Sequence, residues 1–180
     1  MNDFLNFRNA SAADVDAIVA LVESAYRGDS SRQGWTTEAD MLDGQRTDSA
    51  DVVRLIAHVH SRVLLLTRSS GQLRACAHIE RQKEVCYFGM FSVKPTEQGS
   101  GIGRAMLAEV ERIARDEWAC REMQMTVISI RDELIAWYER RGYQRTAIFK
   151  PFPYGDARFG LPKRDDLRFE ILSKRLIGAQ

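Results

Sequence analysis

The sequence predicts an α/β domain of the α+β type, in which a mixed central sheet is flanked by helices. Segments with the two-residue period of strands alternate along the chain with segments that have the 3.6-residue period of helices. A strand, loop, helix, strand succession over residues 85–128 forms a βαβ unit, whose two strands must run parallel. No long linker, repeat or low-complexity stretch divides the 180 residues, so we expect one domain over residues 1–180.

The first half of the chain contains mostly helical patterns. Ser11 followed by Asp14 is a capping-box start, and apolar residues recur at helical spacing from there until Gly28. A polar loop with two glycines follows, after which Thr37 is a good cap for a short helix. The predicted elements are helices over 11–27, 37–43 and 50–58 and strands over 63–67 and 73–80.

The second half begins with a strand that is apolar on both faces, as in the centre of a sheet. Gly89 interrupts it and indicates a bulge, and Gly142 ends a later helix in the left-handed manner. The predicted elements are strands over 85–93, 122–128, 143–149 and 167–173 and helices over 102–118 and 132–141. Residues 151–166 lack a regular pattern and are long enough to favour a functional loop.

Composition excludes several classes of protein. The 26 Lys and Arg balance 25 Asp and Glu, so there is no long-range field to attract nucleic acid, and we expect no nucleic-acid partner. The chain has no apolar run of membrane-spanning length and no signal-peptide pattern at its start, so we expect a cytoplasmic protein without a membrane partner. Three cysteines fit reduced thiols. Cys76, His78 and Cys86 lack a CxxC pair and a fourth ligand, so we expect no metal.

A glycine-rich turn lies between the apolar strand and the long helix, with the sequence Gln98-Gly99-Ser100-Gly101-Ile102-Gly103-Arg104. Backbone amides at a helix start have no partners within the helix, and the helix dipole is positive there. The turn therefore indicates a site for a phosphate or pyrophosphate, the alternative being a glycine-rich helix start without a ligand. A Walker loop would require Gly-Lys-Ser/Thr, and a dinucleotide fingerprint would require small residues where the chain has Arg104 and Met106.

Two motifs carry a family resemblance. Gln98-x-x-Gly101-x-Gly103, after a strand that ends in MFSVKP, resembles the acyl-CoA signature of the GNAT superfamily of acyl-CoA-dependent N-acetyltransferases. The later segment AWYERRGY, residues 136–143, looks like the family's helix with an active-site tyrosine. The resemblance implies a mixed sheet of about six to seven strands with a splayed parallel pair and about four helices. It also implies transfer of an acetyl group from acetyl-CoA to a primary amine of a small molecule, such as an amino acid, or of a peptide. Relatives are often dimers, which allows for a homodimer.

The resemblance also assigns residues to the co-substrate. Backbone groups of Phe91, Ser92 and Val93 would pair with pantetheine, and an amide near Met90 or Phe91 would bind the developing oxyanion. The pyrophosphate would be held at the turn by Gln98, Gly99, Ser100, Gly101, Ile102, Gly103 and Arg104. Arg131 stands where many relatives have an asparagine that touches CoA. Its guanidinium would hold a CoA phosphate or a substrate carboxylate, or pair with a neighbouring acid.

Such a reaction involves two proton transfers, which require a general acid and a general base. Tyr138 matches the family's general acid for the leaving thiolate, although an aromatic residue on this helix face also fits a core position. Some relatives use a strand glutamate as the base, but the chain has Tyr87 near that position. Glu80 is therefore the first candidate and Glu84 the second, and a solvated strand-end carboxylate is the alternative for Glu80. Without a base, a CoA-binding sensor or interaction domain is the competing hypothesis.

Two loops would form the acceptor walls, residues 27–36 and 150–166. Their aromatic and arginine side chains favour an acceptor with apolar and anionic groups, such as an amino acid. These side chains are Arg27, Arg32, Trp35, Phe152, Tyr154 and Arg158.

Overall fold

The computed structural model describes residues 4–177 and contains two sheets. In chain order the strands are β1 (Leu5–Asn9), β2 (Leu42–Asp43), β3 (Ser61–Arg68), β4 (Leu73–Gln82), β5 (Val85–Val93), β6 (Glu122–Ile128), β7 (Gln144–Pro151), β8 (Leu161–Pro162) and β9 (Arg168–Arg175). The helices are α1 (Val15–Tyr26), α2 (Gly28–Ser31), α3 (Ser49–Ala57), α4 (Ile102–Arg112) and α5 (Asp132–Glu139). A π-helical turn, Ile113–Glu117, continues α4. The ends of the expected domain, residues 1–3 and 178–180, lie outside the described residues.

The main sheet has seven strands in the order β1-β3-β4-β5-β6-β9-β7. Its neighbours are antiparallel except for β5 and β6, which are the strands of the predicted βαβ unit. These two strands pair only from Val85 opposite Glu122 to Tyr87 opposite Gln124, after which they part. The predicted mixed sheet with a splayed parallel pair is therefore confirmed, and the splay opens the centre of the molecule.

Helices cover both faces of the sheet because each has one apolar stripe. On one face α1 buries Ile18, Val22 and Ala25 against β3, β4 and β5, together with Val52 of α3. On the other face α4 and α5 bury a second set, which includes Met106 and Ile135. Each buried Val, Ile or Met side chain among them contributes roughly 1.5–3 kcal/mol through removal from water. Two apolar layers thus hold the splayed sheet rigidly between them.

The predicted helix over residues 37–43 is wrong. This segment forms turns and then the short strand β2, which pairs with β8. Glu38 lies buried there against Arg27 and Arg131, and this ion cluster fixes the segment in place of helical periodicity. The pairing of β2 with β8 also orders part of the predicted loop 151–166. Strand β1 was not expected from its sequence, and it extends the sheet by pairing with β3.

Among residues 4–177, no helix is both long and apolar enough to span a membrane. The three cysteines are free and buried. Cys76 packs in the layer of α1 and Cys86 in the layer of α4, so the two thiols lie on opposite faces of the sheet.

Candidate active site

Three adjoining cavities occupy the gap where β5 and β6 part. The turn cleft, about 870 Å³, lies between residues 98–104 and α5; the outer cavity, about 480 Å³, is lined by Glu80 and His78. The inner cavity, about 260 Å³, joins them. It shares Tyr138 with the turn cleft and Tyr87 with the outer cavity. The predicted acid, Tyr138, therefore lies where the turn cleft meets the inner cavity, and the predicted base, Glu80, lies in the outer cavity on the far side.

The glycine-rich turn presents free backbone donors to the turn cleft. Gly101 is the N-cap of α4 with φ of 89°, a left-handed conformation that is strained for any residue with a side chain. The first helical hydrogen bond runs from the amide of Ala105 to the carbonyl of Gly101. Within the described part of the chain, the amides of residues 101–104 donate to no acceptor. Four orphan amides at the positive end of a helix are suited to bind an anion.

Gln98 ties the turn to the loop after α2. Its Oε1 accepts hydrogen bonds from the amides of Trp35 and Thr36, at 2.8 and 3.3 Å. Its Nε2 donates to Thr36 Oγ1 at 2.8 Å and to the Val93 carbonyl at 3.2 Å. The side chain therefore positions Trp35 at the rim of the turn cleft. Both of its polar atoms have hydrogen-bond partners within the protein.

Every second residue of β5 points its backbone amide and carbonyl into the gap. The amide of Lys94 donates to the Arg74 carbonyl on β4, so Ser92 faces β4 as well and Phe91 and Val93 face the gap. The carbonyl of Phe91 accepts from the Tyr26 hydroxyl, and that of Val93 accepts from Gln98. The amides of Phe91 and Val93 remain for a ligand, whereas Ser92 is buried in the ladder.

A bulge in β5 lies next to the gap, as Gly89 predicted. Met90 has φ of 48°, and the register shifts between Gly89 and Ser92. A Cβ at Gly89 would lie 2.9 Å from the Tyr87 ring, so a side chain there would push this ring away. The bulge sets two residues of β5, Met90 and Phe91, against the single residue Ala77 of β4.

Tyr138 lines both the turn cleft and the inner cavity. Its ring packs edge-on against Trp137 at 5.1 Å and Tyr143 at 5.7 Å between centroids, which fixes its orientation. Burial raises the pKa of the Tyr138 hydroxyl above its ordinary value, with a smaller contribution from Tyr26. The phenol therefore stays protonated at neutral pH and is a proton donor in the gap.

Glu80 lies in the outer cavity beside Tyr87, its cross-strand neighbour. Gln82 Nε2 donates to Glu80 Oε1 at 3.1 Å, and His78 Nε2 lies 4.0 Å from Oε2. Burial lowers the pKa of His78 to about 4, so its imidazole is neutral at pH 7, and Nε2 lies 2.6 Å from Ser61 Oγ. Glu84 lies outside the three cavities and has an exposed ion pair with Arg121.

Arg131 pairs with an acid, the third of its predicted alternatives. Its Nη1 donates to Glu38 Oε1 at 2.9 Å and its Nη2 to the Thr36 carbonyl at 2.6 Å. Arg27 donates to the other oxygen of Glu38, and all three side chains are less than a tenth exposed. The flanking guanidiniums lower the pKa of Glu38 although burial alone would raise it. This ion cluster forms one wall of the inner cavity.

The arginines expected in the acceptor walls are mostly neutralised. Arg32 pairs with Asp40 and Arg158 with Asp156, both near the surface. Arg46, which no sequence pattern indicated, lines both the inner and the outer cavity. Its segment carries no helical or strand period, so nothing in the sequence could place it at the gap.

Basic side chains also line the turn cleft, as an anion site requires. Arg104 of α4 is one, and Arg140 and Arg141 follow α5. The Arg141 guanidinium stacks 3.6 Å from the centroid of the Trp137 ring. A cleft with orphan amides, three guanidiniums and two tryptophans suits a phosphorylated ligand with an apolar arm.

Comparisons with known proteins identify a family and a shared fold. The model of the Acetyltransferase (GNAT) family matches residues 21–143. The ribosomal-protein-S18-alanine N-acetyltransferase from Escherichia coli has a similar structure, with a TM-score of 0.71, 14% identity and coverage of 98% of this chain and 97% of that one. A comparison with curated protein sequences gave no match.

Two further solved structures share the fold. Nourseothricin acetyltransferase superposes with a TM-score of 0.66 at 17% identity, over 96% of this chain and 99% of that one. The spermidine/spermine N-acetyltransferase from Vibrio cholerae also has a TM-score of 0.66, at 12% identity, over 96% of this chain and 92% of that one.

Proposed function

This chain belongs to the Acetyltransferase (GNAT) family of acyltransferases, and on that premise we propose that it is an acetyl-CoA-dependent N-acetyltransferase. The acceptor is a primary amine of a small molecule or peptide, and it attacks the thioester directly in a ternary complex. The position of Tyr138 carries the proposal, because this residue alone of the two predicted proton-transfer residues lies between the turn cleft and the inner cavity. In this arrangement the thioester lies beside Tyr138 and the amine arrives from the outer cavity.

The turn cleft suits acetyl-CoA in three ways. The amides of residues 101–104 would bind the pyrophosphate, with Arg104 adding positive charge. The amides of Phe91 and Val93 would receive the carbonyls of pantetheine along the free edge of β5, as an added strand would. The carbonyls of Phe91 and Val93 are occupied by Tyr26 and Gln98, so this edge acts as a donor edge.

The chemistry forms one C–N bond and breaks one C–S bond. As the amine nitrogen attacks the thioester carbon, the Met90–Phe91 bulge supplies the amide that faces the developing oxyanion. When the C–S bond breaks, Tyr138 donates its phenolic proton to the leaving thiolate, and the proton that the nitrogen loses as it becomes an amide restores the phenol. Because burial raises the pKa of this phenol, it is protonated before each turnover.

The amine must lose a proton before or during attack. An amine with a pKa near 10.4 is neutral about once in a thousand molecules at pH 7.5, a cost of roughly 4 kcal/mol without a base. Glu80 is the proposed base because it lies in the outer cavity, within reach of solvent that carries the proton away. Neutral His78 lies beside it and adds no positive charge that would repel an ammonium.

The test is release of free CoA from acetyl-CoA in the presence of a panel of primary amines and peptides, with mass-spectrometric detection of the acetylated product. We expect turnover of at least one amine and a loss of turnover in Glu80→Gln. Tight binding of CoA without turnover of any amine or peptide would instead indicate the sensor, the competing hypothesis.

A further inference from the structure

Arg46 lies where the inner and outer cavities meet, and it is half-buried. Its backbone is fixed because its amide donates to Glu23 Oε1 at 2.7 Å, as does the amide of Thr47 at 2.8 Å. Its guanidinium carbon lies 5.4 Å from the centroid of the Tyr26 ring, which belongs to the inner cavity. The side chain is thus held at the entrance through which an acceptor would pass.

Most of the positive charge around these two cavities is already paired. Their cationic side chains are Arg27, Arg46, Arg54, Arg131, Lys150 and Arg158. Arg27 and Arg131 share Glu38, Arg54 pairs with Asp51, and Arg158 pairs with Asp156. Across residues 4–177, no carboxylate lies within ion-pair distance of Arg46 or of Lys150, which is exposed on β7. Among the described residues, Arg46 is therefore the half-buried cation of the inner and outer cavities that has no carboxylate within ion-pair distance.

The net charge around Arg46 is positive and favours the binding of an anion. Six cationic side chains line the two cavities, against the three carboxylates Glu38, Asp51 and Glu80. Arg46 lies close enough to Glu38 to lower the pKa of this carboxyl, but the two oxygens of Glu38 accept hydrogen bonds from Arg27 and Arg131. A guanidinium presents its donors as a planar fork that matches a carboxylate. In a recess screened from bulk water the electrostatic attraction within such an ion pair is stronger than on the surface.

We propose that Arg46 forms an anion subsite that binds a carboxylate of the acceptor, so that the enzyme selects amines of amino-acid type. Glu80 lines the same outer cavity and would face the amino group of the acceptor. Arg46 and Glu80 together would recognise a molecule with one negative and one positive group. Polyamines, which carry only positive charge, are disfavoured by the excess of cations. This inference rests on the proposed function, because it places the acceptor in the inner and outer cavities.

The test compares amino acids with their own primary amides and with spermidine as acceptors of acetyl-CoA. The wild-type protein should acetylate the amino acids with a higher kcat/KM than the amides, and spermidine least. Arg46→Gln should lower kcat/KM for amino acids about 30-fold, as expected for one charged hydrogen-bonded contact, and change it little for amides. Arg46→Lys, which retains the charge but loses the fork, should lie between the two. Arg112→Gln, on the surface of α4, is the matched control.

Binding measurements separate this inference from the proposed function. Calorimetric titration of leucine and leucinamide into the CoA-loaded protein needs no turnover, and a thermal melt shows whether each variant folds. Weaker binding of leucine in Arg46→Gln, with leucinamide unchanged, supports the subsite even if neither is acetylated, and in that case the transferase proposal alone fails. Equal preference for acid and amide, faster turnover of spermidine, or an equal loss for both probes in Arg46→Gln would overturn it.

Discussion

The two halves of the gap are built in different ways. The turn cleft is made by backbone groups of one short stretch, residues 98–104, and by the neighbouring edge of β5. The acceptor side is made by ionised side chains from distant segments, with Glu38 before β2, Arg46 after it and Arg131 before α5. The first half depends on local conformation, and the second depends on the whole fold to hold its charges together.

This difference indicates what each half can recognise. Backbone donors at a helix start bind a phosphate regardless of what the rest of the ligand carries. Buried side-chain charges recognise one arrangement of charge, because an unmatched partner leaves an ion without compensation. The proposed acyl donor would therefore bind in the first half, and the proposed acceptor would be selected in the second.

The largest expected effect is on the stability of the acceptor side. Glu38→Gln would leave the guanidiniums of Arg27 and Arg131 buried without their carboxylate. Loss of one partner of a buried ion pair costs about 3–5 kcal/mol. For a chain of this length this corresponds to a fall in Tm of roughly 6–20 °C. Calorimetric unfolding of the variant measures the change.

The matched control is Asp40→Asn in the same loop. Asp40 pairs with Arg32, and both side chains are largely exposed, at 79% and 45%. Exposed pairs are worth about 0–1 kcal/mol, so Tm should hardly move. Equal falls in the two variants would show that the buried cluster has no special part in the fold.

The difference between the halves also explains what the sequence could predict. The turn at residues 98–104 could be predicted because its glycines and its place between a strand and a helix are local features. The parallel pairing of β5 and β6 followed from the connection between them. The ion cluster could not be predicted, since the sequence pattern placed Glu38 in a helix and the contact with Arg131 spans 93 residues of sequence. Arg46 was missed for the same reason.

The next largest effect concerns Tyr138, which lies between the halves. Tyr138→Phe removes the proposed proton donor and should lower kcat about 100-fold, with the Kd for acetyl-CoA nearly unchanged. Tyr143→Phe is the control: its hydroxyl donates to Glu111 at 2.9 Å and not to the gap, so stability should fall while kcat holds. Steady-state kinetics and a direct binding titration distinguish the two. A Tyr138→Phe variant with normal kcat would assign the ring to packing alone.

A smaller effect is the response of the acceptor side to acid. Burial is the main reason that the pKa of His78 falls to about 4 from an ordinary 6.5; Arg54 and His58 lower it further, and Glu80 opposes them. Between these values the unfolded chain binds the proton and the folded protein does not, so stability is full above pH 6.5 and falls as the pH drops toward 4. At pH 5 the loss from this group is about 2 kcal/mol. His78→Gln should flatten the dependence of Tm on pH between 7 and 5, and an unchanged slope would contradict this origin.

The smallest effect tests the turn cleft, where the chain offers a matched pair of glycines. Gly101 and Gly71 have φ of 89° and 81°, and a Cβ at either meets nothing within 4 Å, so alanine there causes backbone strain without a clash. The strain costs about 1–2 kcal/mol at each position. Gly71 lies in the turn between β3 and β4, outside the three cavities, whereas Gly101 sets the direction of the orphan amides. Both variants should therefore lose similar stability, but only Gly101→Ala should weaken acetyl-CoA binding, by about 10-fold. If calorimetry finds the same affinity in both variants, the amides of this turn do not bind the pyrophosphate.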